Sequence, residues 1–169
     1  RPVRYGASEL AGFEERARHM IAIAEEALAP VTPAPVDGFR RYVTREPLGL
    51  VLVVAPWNYP FLTAVNSVIP ALLAGNAVLL KHAAQTPLVA ERFQAAADRA
   101  ALPLGLFQHL FLDHTGTARL VAGGAVDQVN FTGSVAGGRA MEIAAGGTFA
   151  GLGLELGGKD PAYVRADAN

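Results

Sequence analysis

The chain has 169 residues, 51% of them apolar and 17% charged, with a formal net charge of −1. That is enough for a globular unit with a real core, and the lack of a basic excess argues against binding nucleic acid or a membrane surface. There is no cysteine, which excludes disulfides, thiolate-held metals and a cysteine nucleophile within this sequence.

The N-terminus lacks a charged-then-apolar leader pattern, and no apolar run reaches the ~18 residues of a membrane span, so a cytoplasmic protein is expected. Ser8 to Ala29 reads as a helix with Ser8 as N-cap. Leu10, Phe13, Ala17, Met20, Ala24 and Ala27 form its apolar stripe. Pro30, Pro33 and Pro35 then make an extended connector. Phe39 to Glu46 is basic and β-prone, as expected of an exposed edge strand or hairpin arm.

From Gly49 strands and helices alternate. Leu50 to Ala55 is a continuous apolar run, typical of a strand buried on both faces. Pro60 opens a helix to Ala74, closed by Gly75. Ala77 to Leu80 is the second strand. Thr86 and Pro87 are the N-cap and first residue of a helix to about Ala101. Leu106 to Leu112 is the third strand, and Thr115 starts a short helix ending at Gly123. Asp127 to Phe131 is the fourth strand. Ser134 caps a helix to about Ala145, and Phe149 to Leu154 is the fifth strand. Ala162 to Val164 looks like a short sixth. This alternation demands parallel strands with crossover helices. The expected fold is α/β: an open, doubly wound, Rossmann-like parallel sheet of about five strands.

Such sheets bind ligands at the carboxyl ends of their strands, and four polar residues fall there. Asn58, in the turn Ala55-Pro56-Trp57-Asn58-Tyr59-Pro60, offers an amide donor suited to a developing oxyanion. Trp57 supplies a flat wall. Lys81 ends the second strand, within reach of a ribose hydroxyl or a phosphate. Gly133 and Ser134 run from the fourth strand into a helix start, where N–H groups and the helix dipole favour phosphate. Glu155 follows an apolar run and precedes Gly157-Gly158-Lys159; enclosed by apolar neighbours, it would suit general-base work. Each has an ordinary alternative: a turn Asn, a solvated Lys, a Ser cap, an ion-paired Glu. Their convergence on one edge is the stronger signal. The four histidines, His19, His82, His109 and His114, show no metal-ligand spacing, and no metal is expected.

At these residues the chain resembles the aldehyde dehydrogenase superfamily, over about Phe39 to Asn169. The motifs are Pro56-Trp57-Asn58; Leu80-Lys81 with Gln85-Thr86-Pro87; Phe131-Thr132-Gly133-Ser134 with Gly138-Arg139; and Glu155-Leu156-Gly157-Gly158-Lys159. The resemblance implies oxidation of a small-molecule aldehyde with NAD or NADP as cofactor, through a thioester on a cysteine. It implies Asn58 as oxyanion donor and Glu155 as general base. Lys81 would hold the adenosine ribose and Ser134 the pyrophosphate. Trp57 and Leu156 would line the cofactor cleft, with Ala55, Pro56, Ala84 and Gly133 beside them.

The implied organisation is a helix and oligomerisation arm over 1–48, a dinucleotide-binding domain over 49–160, and over 161–169 the start of a connection to a catalytic domain. A homodimer or homotetramer is implied for the complete enzyme. Four departures stand out. The nucleophilic cysteine is absent. Ser67 replaces a Lys of a proton relay. Asp113 enters a loop that is usually Gly-rich, where its charge would repel phosphate unless turned away. Ala84 replaces a Glu that holds a ribose 2′-OH. The alternative reading is a non-catalytic nucleotide-binding or scaffold protein that keeps the fold.

Overall fold

The computed structural model describes residues 3–158 and 160–168. Arg1, Pro2, Lys159 and Asn169 lie outside them. Helix α1 (Gly6–Leu28) precedes four strand–helix repeats and a fifth strand. These are β1 (Leu50–Ala55), α2 (Pro60–Leu73), β2 (Ala77–His82), α3 (Pro87–Arg99) and β3 (Phe107–Leu110). Then come α4 (His114–Ala122), β4 (Gln128–Gly133), α5 (Val135–Ala145) and β5 (Gly151–Leu156). All strand pairs are parallel, in the order β3-β2-β1-β4-β5. The expected five-stranded doubly wound sheet is therefore present.

Strand parity sorts the core into two layers. Val51, Val53 and Ala55 of β1, with Val78 and Leu80 of β2, face Ala64, Val68 and Ala71 of α2 and Ala90 and Phe93 of α3. Leu52, Val54, Leu79 and Val129 face the other way, onto Val121 of α4 and Met141 and Ala145 of α5. On the first face Phe13 of α1 packs edge-on against Phe61 and Phe93, with ring centroids 6.2 and 5.6 Å apart. Among the described residues no helix is long and apolar enough to cross a membrane.

Several boundaries differ from the sequence reading. Tyr5, not Ser8, stands at the start of α1; Ser8 lies within the helix and donates its hydroxyl to Tyr5 O at 2.9 Å. The buried stripe of α1 runs through Glu9, with Leu10 exposed. Thr86 occupies the N-cap position of α3 but makes no capping bond. Helix α4 is capped by Asp113 rather than begun at Thr115, with Asp113 Oδ1 accepting from Gly116 N at 2.6 Å. Phe149 sits at φ 61° in the turn before β5, so the strand starts two residues late and Glu155 lies inside it.

Phe39 to Glu46 is exposed but forms no continuous strand. Its antiparallel bridges are isolated, Val31 to Val43 and Val36 to Phe39, because a two-stranded ribbon without a third partner holds poorly. Ala162 to Val164 is not a strand, and Tyr163 and Val164 are exposed.

Candidate active site

The strand order reverses between β1 and β4, and the crevice of a doubly wound sheet opens at that point. A cleft of about 730 Å³ lies there. Ala55, Pro56 and Trp57 line it from the end of β1, Lys81 and Ala84 from the end of β2, and Gly133 and Ser134 from the end of β4. The sequence reading named these seven. It missed Leu112, His114 and Thr117 on the α4 side, and Ala140 and Met141 on α5. A signal existed for the last two, which lie about two helical turns beyond the Gly133-Ser134 turn and so face the same crevice.

Asn58, Glu155 and Leu156 do not line this cleft. Parity gives the reason for the carboxylate. Leu152 packs into the α4/α5 layer, so Leu156 faces the same side and Glu155 the opposite one, opposite Thr132 of β4 in register. Leu156 lies under α5: a Cβ on Gly138 would come within 2.6 Å of its methyl groups, so glycine is required for that approach. Asn58 is exposed in the turn leading to α2. Glu155 is also exposed, so the apolar enclosure expected around it is not supplied by the described residues. The sheet edge is thus divided: Lys81 and Ser134 line the cleft, Glu155 faces the opposite side by parity, and Asn58 is exposed in the turn outside the cleft lining.

Each cleft residue has a local cause. Ser134 caps α5, its Oγ accepting from Gly137 N at 3.1 Å, which leaves the hydroxyl proton for an acceptor in the cleft. A Cβ on Gly137 would stand 2.5 Å from Cζ of Phe131, so only glycine lets that ring lie against the helix start. Lys81 shares the cleft side of β2 with Leu79 and is only 6% exposed. Burial pulls its pKa below the usual lysine value, while the nearby Asp113 carboxylate acts in the opposite sense. Asp113 lines the same cleft, with one oxygen committed to capping α4. A nearly buried ammonium, a helix N-terminus and apolar walls are a donor set that fits a dinucleotide. Among the described residues no cluster of three His, Asp or Glu is placed to hold a metal ion.

His82 lies on the opposite parity to Lys81, buried at 5% exposure. Its Nε2 is 3.1 Å from Pro60 O and its Nδ1 is 3.2 Å from Thr86 Oγ1. Burial lowers its pKa from 6.5 to about 4; the Pro60 carbonyl and Glu9 oppose that fall and Lys81 adds to it. The unfolded chain therefore binds a proton between those values that the folded one refuses. Stability is full above about pH 6.5 and declines toward pH 4, by about 3 kcal/mol for this group. Urea midpoints measured across that range should fall less in His82→Gln than in the parent. Equal acid losses would reject His82 as a source.

The aldehyde dehydrogenase family description matches residues 1–169. An aldehyde dehydrogenase of Paenarthrobacter nicotinovorans is 41% identical over 155 residues, covering 90% of this chain and 34% of that protein. An NADP(+) succinate-semialdehyde dehydrogenase of Mycobacterium avium is 36% identical over 154 residues, covering 90% and 33%. The crystal structure of an NAD-dependent aldehyde dehydrogenase from Sinorhizobium meliloti matches with a TM-score of 0.89 at 32% identity, covering 95% of this chain and 32% of that one. The chain spans about a third of the length of these relatives. With the family's description matched from first residue to last, the chain belongs to the aldehyde dehydrogenase family.

Proposed function

We propose that this chain is the cofactor-binding part of an NAD(P)-dependent aldehyde dehydrogenase, which oxidises an aldehyde to a carboxylic acid through a thioester on a cysteine outside this sequence. The observation that carries the proposal is the divided sheet edge. The Lys81–Ser134 cleft fits a dinucleotide, and an exposed amide, Asn58, and an exposed carboxylate, Glu155, stand at the same sheet edge outside its lining. Lys81 holds the adenosine ribose, and Gly133 with Ser134 holds the pyrophosphate against the start of α5. Ala55, Pro56, Trp57 and Ala84 wall the cofactor, while Leu156 packs under α5 behind Gly138. A bound nicotinamide ring supplies the hydride acceptor.

Asn58 donates its amide N–H to the oxygen of the tetrahedral species, and Glu155 takes a proton from the water that cleaves the thioester. In this reading 1–48 is a helix and oligomerisation arm, 49–160 the dinucleotide-binding unit, and 161–169 the start of the connection to a catalytic domain. The complete enzyme is a cytoplasmic homodimer or homotetramer.

The test is NAD(P)H formation with a panel of aldehydes. The complete enzyme should turn over; the 169-residue chain should not, since it has no thiol. Turnover by the chain alone would refute the assignment, and so would a complete protein without cysteine.

Cofactor choice follows from Ala84, which is exposed on the cleft wall beside buried Lys81. Ala84 contributes no carboxylate to repel a 2′-phosphate, and the Asp113 carboxylate of the same cleft is tied through one oxygen to Gly116 N, so both NAD⁺ and NADP⁺ should serve. Ala84→Glu should lower the NADP⁺ to NAD⁺ ratio of kcat/KM by about tenfold or more, since like charges a few ångströms apart repel by about that much or more. An unchanged ratio, or outright rejection of NADP⁺ by the parent, would contradict the reading.

A further inference from the structure

Helix α2 starts without a cap of its own. Pro60 is its first residue and has no N–H, Thr63 N already bonds Tyr59 O at 2.9 Å, and Tyr59 gives no side-chain capping bond. Two donors of the first turn remain, the N–H groups of Phe61 and Leu62. Both point to one atom, Oε1 of Glu9 on α1, at 2.9 and 3.2 Å. Glu9 is 5% exposed and is the buried residue of α1. Its carboxylate sits where a helix dipole favours negative charge.

The same helix start is held from the other side. Pro60 O can only accept, so His82 Nε2 carries the proton and donates to it, and Nδ1 accepts from the Thr86 hydroxyl. His82 stands directly across the sheet from Ala55, the last residue of β1. The turn Pro56–Tyr59 is strung between Ala55 and this pinned helix start, with proline at both ends.

We propose that Glu9 and His82 are positioning residues: they fix the start of α2 and thereby set where the turn holds the Asn58 amide. The inference rests on the reading of Asn58 as oxyanion donor. Glu9 reaches the reaction through that turn. With four residues between two anchors, a shift of the helix start must be taken up by the segment that carries Trp57 and Asn58. A misplacement of about 1 Å at such a donor is worth about 10²-fold in rate.

The test is a double-mutant cycle in the complete enzyme, reading kcat, cofactor Kd and the thermal midpoint. Asn58→Ala should lower kcat by about 10²–10³-fold. Glu9→Ala should lower it by about tenfold or more, bounded by the loss of the donor itself, with cofactor Kd changed less than kcat because, of the cofactor's contacts, Pro56 and Trp57 move with the turn while Lys81 and Ser134 lie on other elements. Glu9→Gln keeps an acceptor oxygen and should recover most of the loss. In the Asn58→Ala background neither Glu9 variant should lower kcat further.

Additive losses would overturn the positioning role, because a merely structural Glu9 acts independently of Asn58. Unchanged kcat in Glu9→Ala would overturn it too. If Glu9→Ala does not fold, Glu9→Gln in the two backgrounds makes the same comparison. A small kcat loss confined to the parent background supports the role, and equal losses in both overturn it. Unchanged kcat in Asn58→Ala overturns the oxyanion reading itself, and the positioning role with it.

Discussion

Glu155→Gln should slow turnover of the complete enzyme by about 10²–10⁴-fold while leaving the first round of NAD(P)H formation intact. The carboxylate belongs to the hydrolytic half of the proposed reaction, so hydride leaves before it is needed. The amide keeps the shape of the side chain but cannot accept the proton of the attacking water. The backbone gives no reason for collapse, because Glu155 lies in the β5 ladder opposite Thr132 and its side chain is exposed. Rapid mixing should therefore show a burst of NAD(P)H followed by a slow steady rate. An unchanged kcat would exclude Glu155 as a kinetically significant base, and loss of the burst would move its role to acylation.

Leu52→Ala should destabilise the fold by about 2–5 kcal/mol. Leu52 is fully buried in β1, level with Leu79 of β2 and Val129 of β4, and packs in the layer that includes Val121 and Met141. Central strands with helices on both faces have little room to collapse into a void. Against a total of about 5–15 kcal/mol for an ordinary domain, that loss is severe. The urea midpoint should drop with the slope unchanged. A shift of about 0.5 kcal/mol or less would mean that α4 and α5 close over the site.

Element type was legible where one local signal dominated. Leu50 to Ala55 reads as a buried strand because nothing polar interrupts it. The Thr86-Pro87 pair marks a helix start because proline in the first turn forfeits no helical hydrogen bond. Caps were less legible because they depend on tertiary partners. Nothing near Pro60 announces that its helix is capped by Glu9, 52 residues away in sequence. Thr86 looks like a cap from sequence, yet its hydroxyl is taken by His82.

The candidate site followed the same division. That Asn58, Lys81, Ser134 and Glu155 converge on one edge follows from the alternation of strands and helices. Which face each serves does not, because it turns on register. The fifth strand was read two residues early, and Phe149 at positive φ is the reason: left-handed backbone at an aromatic residue has no local signal. From sequence, Asp113 is a charge that would repel phosphate unless turned away. Its bond to Gly116 N gives it a structural reason to be there.

The strand order has a consequence for how the chain reaches this state. β1, β2 and β3 are joined through α2 and α3 and can pair as they emerge in sequence. β1 must then wait for β4, since Val51 pairs with Gln128 across 77 positions. Closing so long a loop is slow, and until it closes the inner edge of β1 is an unpaired apolar strand open to other chains. The cleft lies on the seam between β1 and β4, so no ligand contact spanning both strands exists before the seam forms. Whatever binds across it afterwards stabilises only the closed state. Occupancy of the cleft should therefore slow the reopening of that seam, and with it the aggregation of partly folded chains.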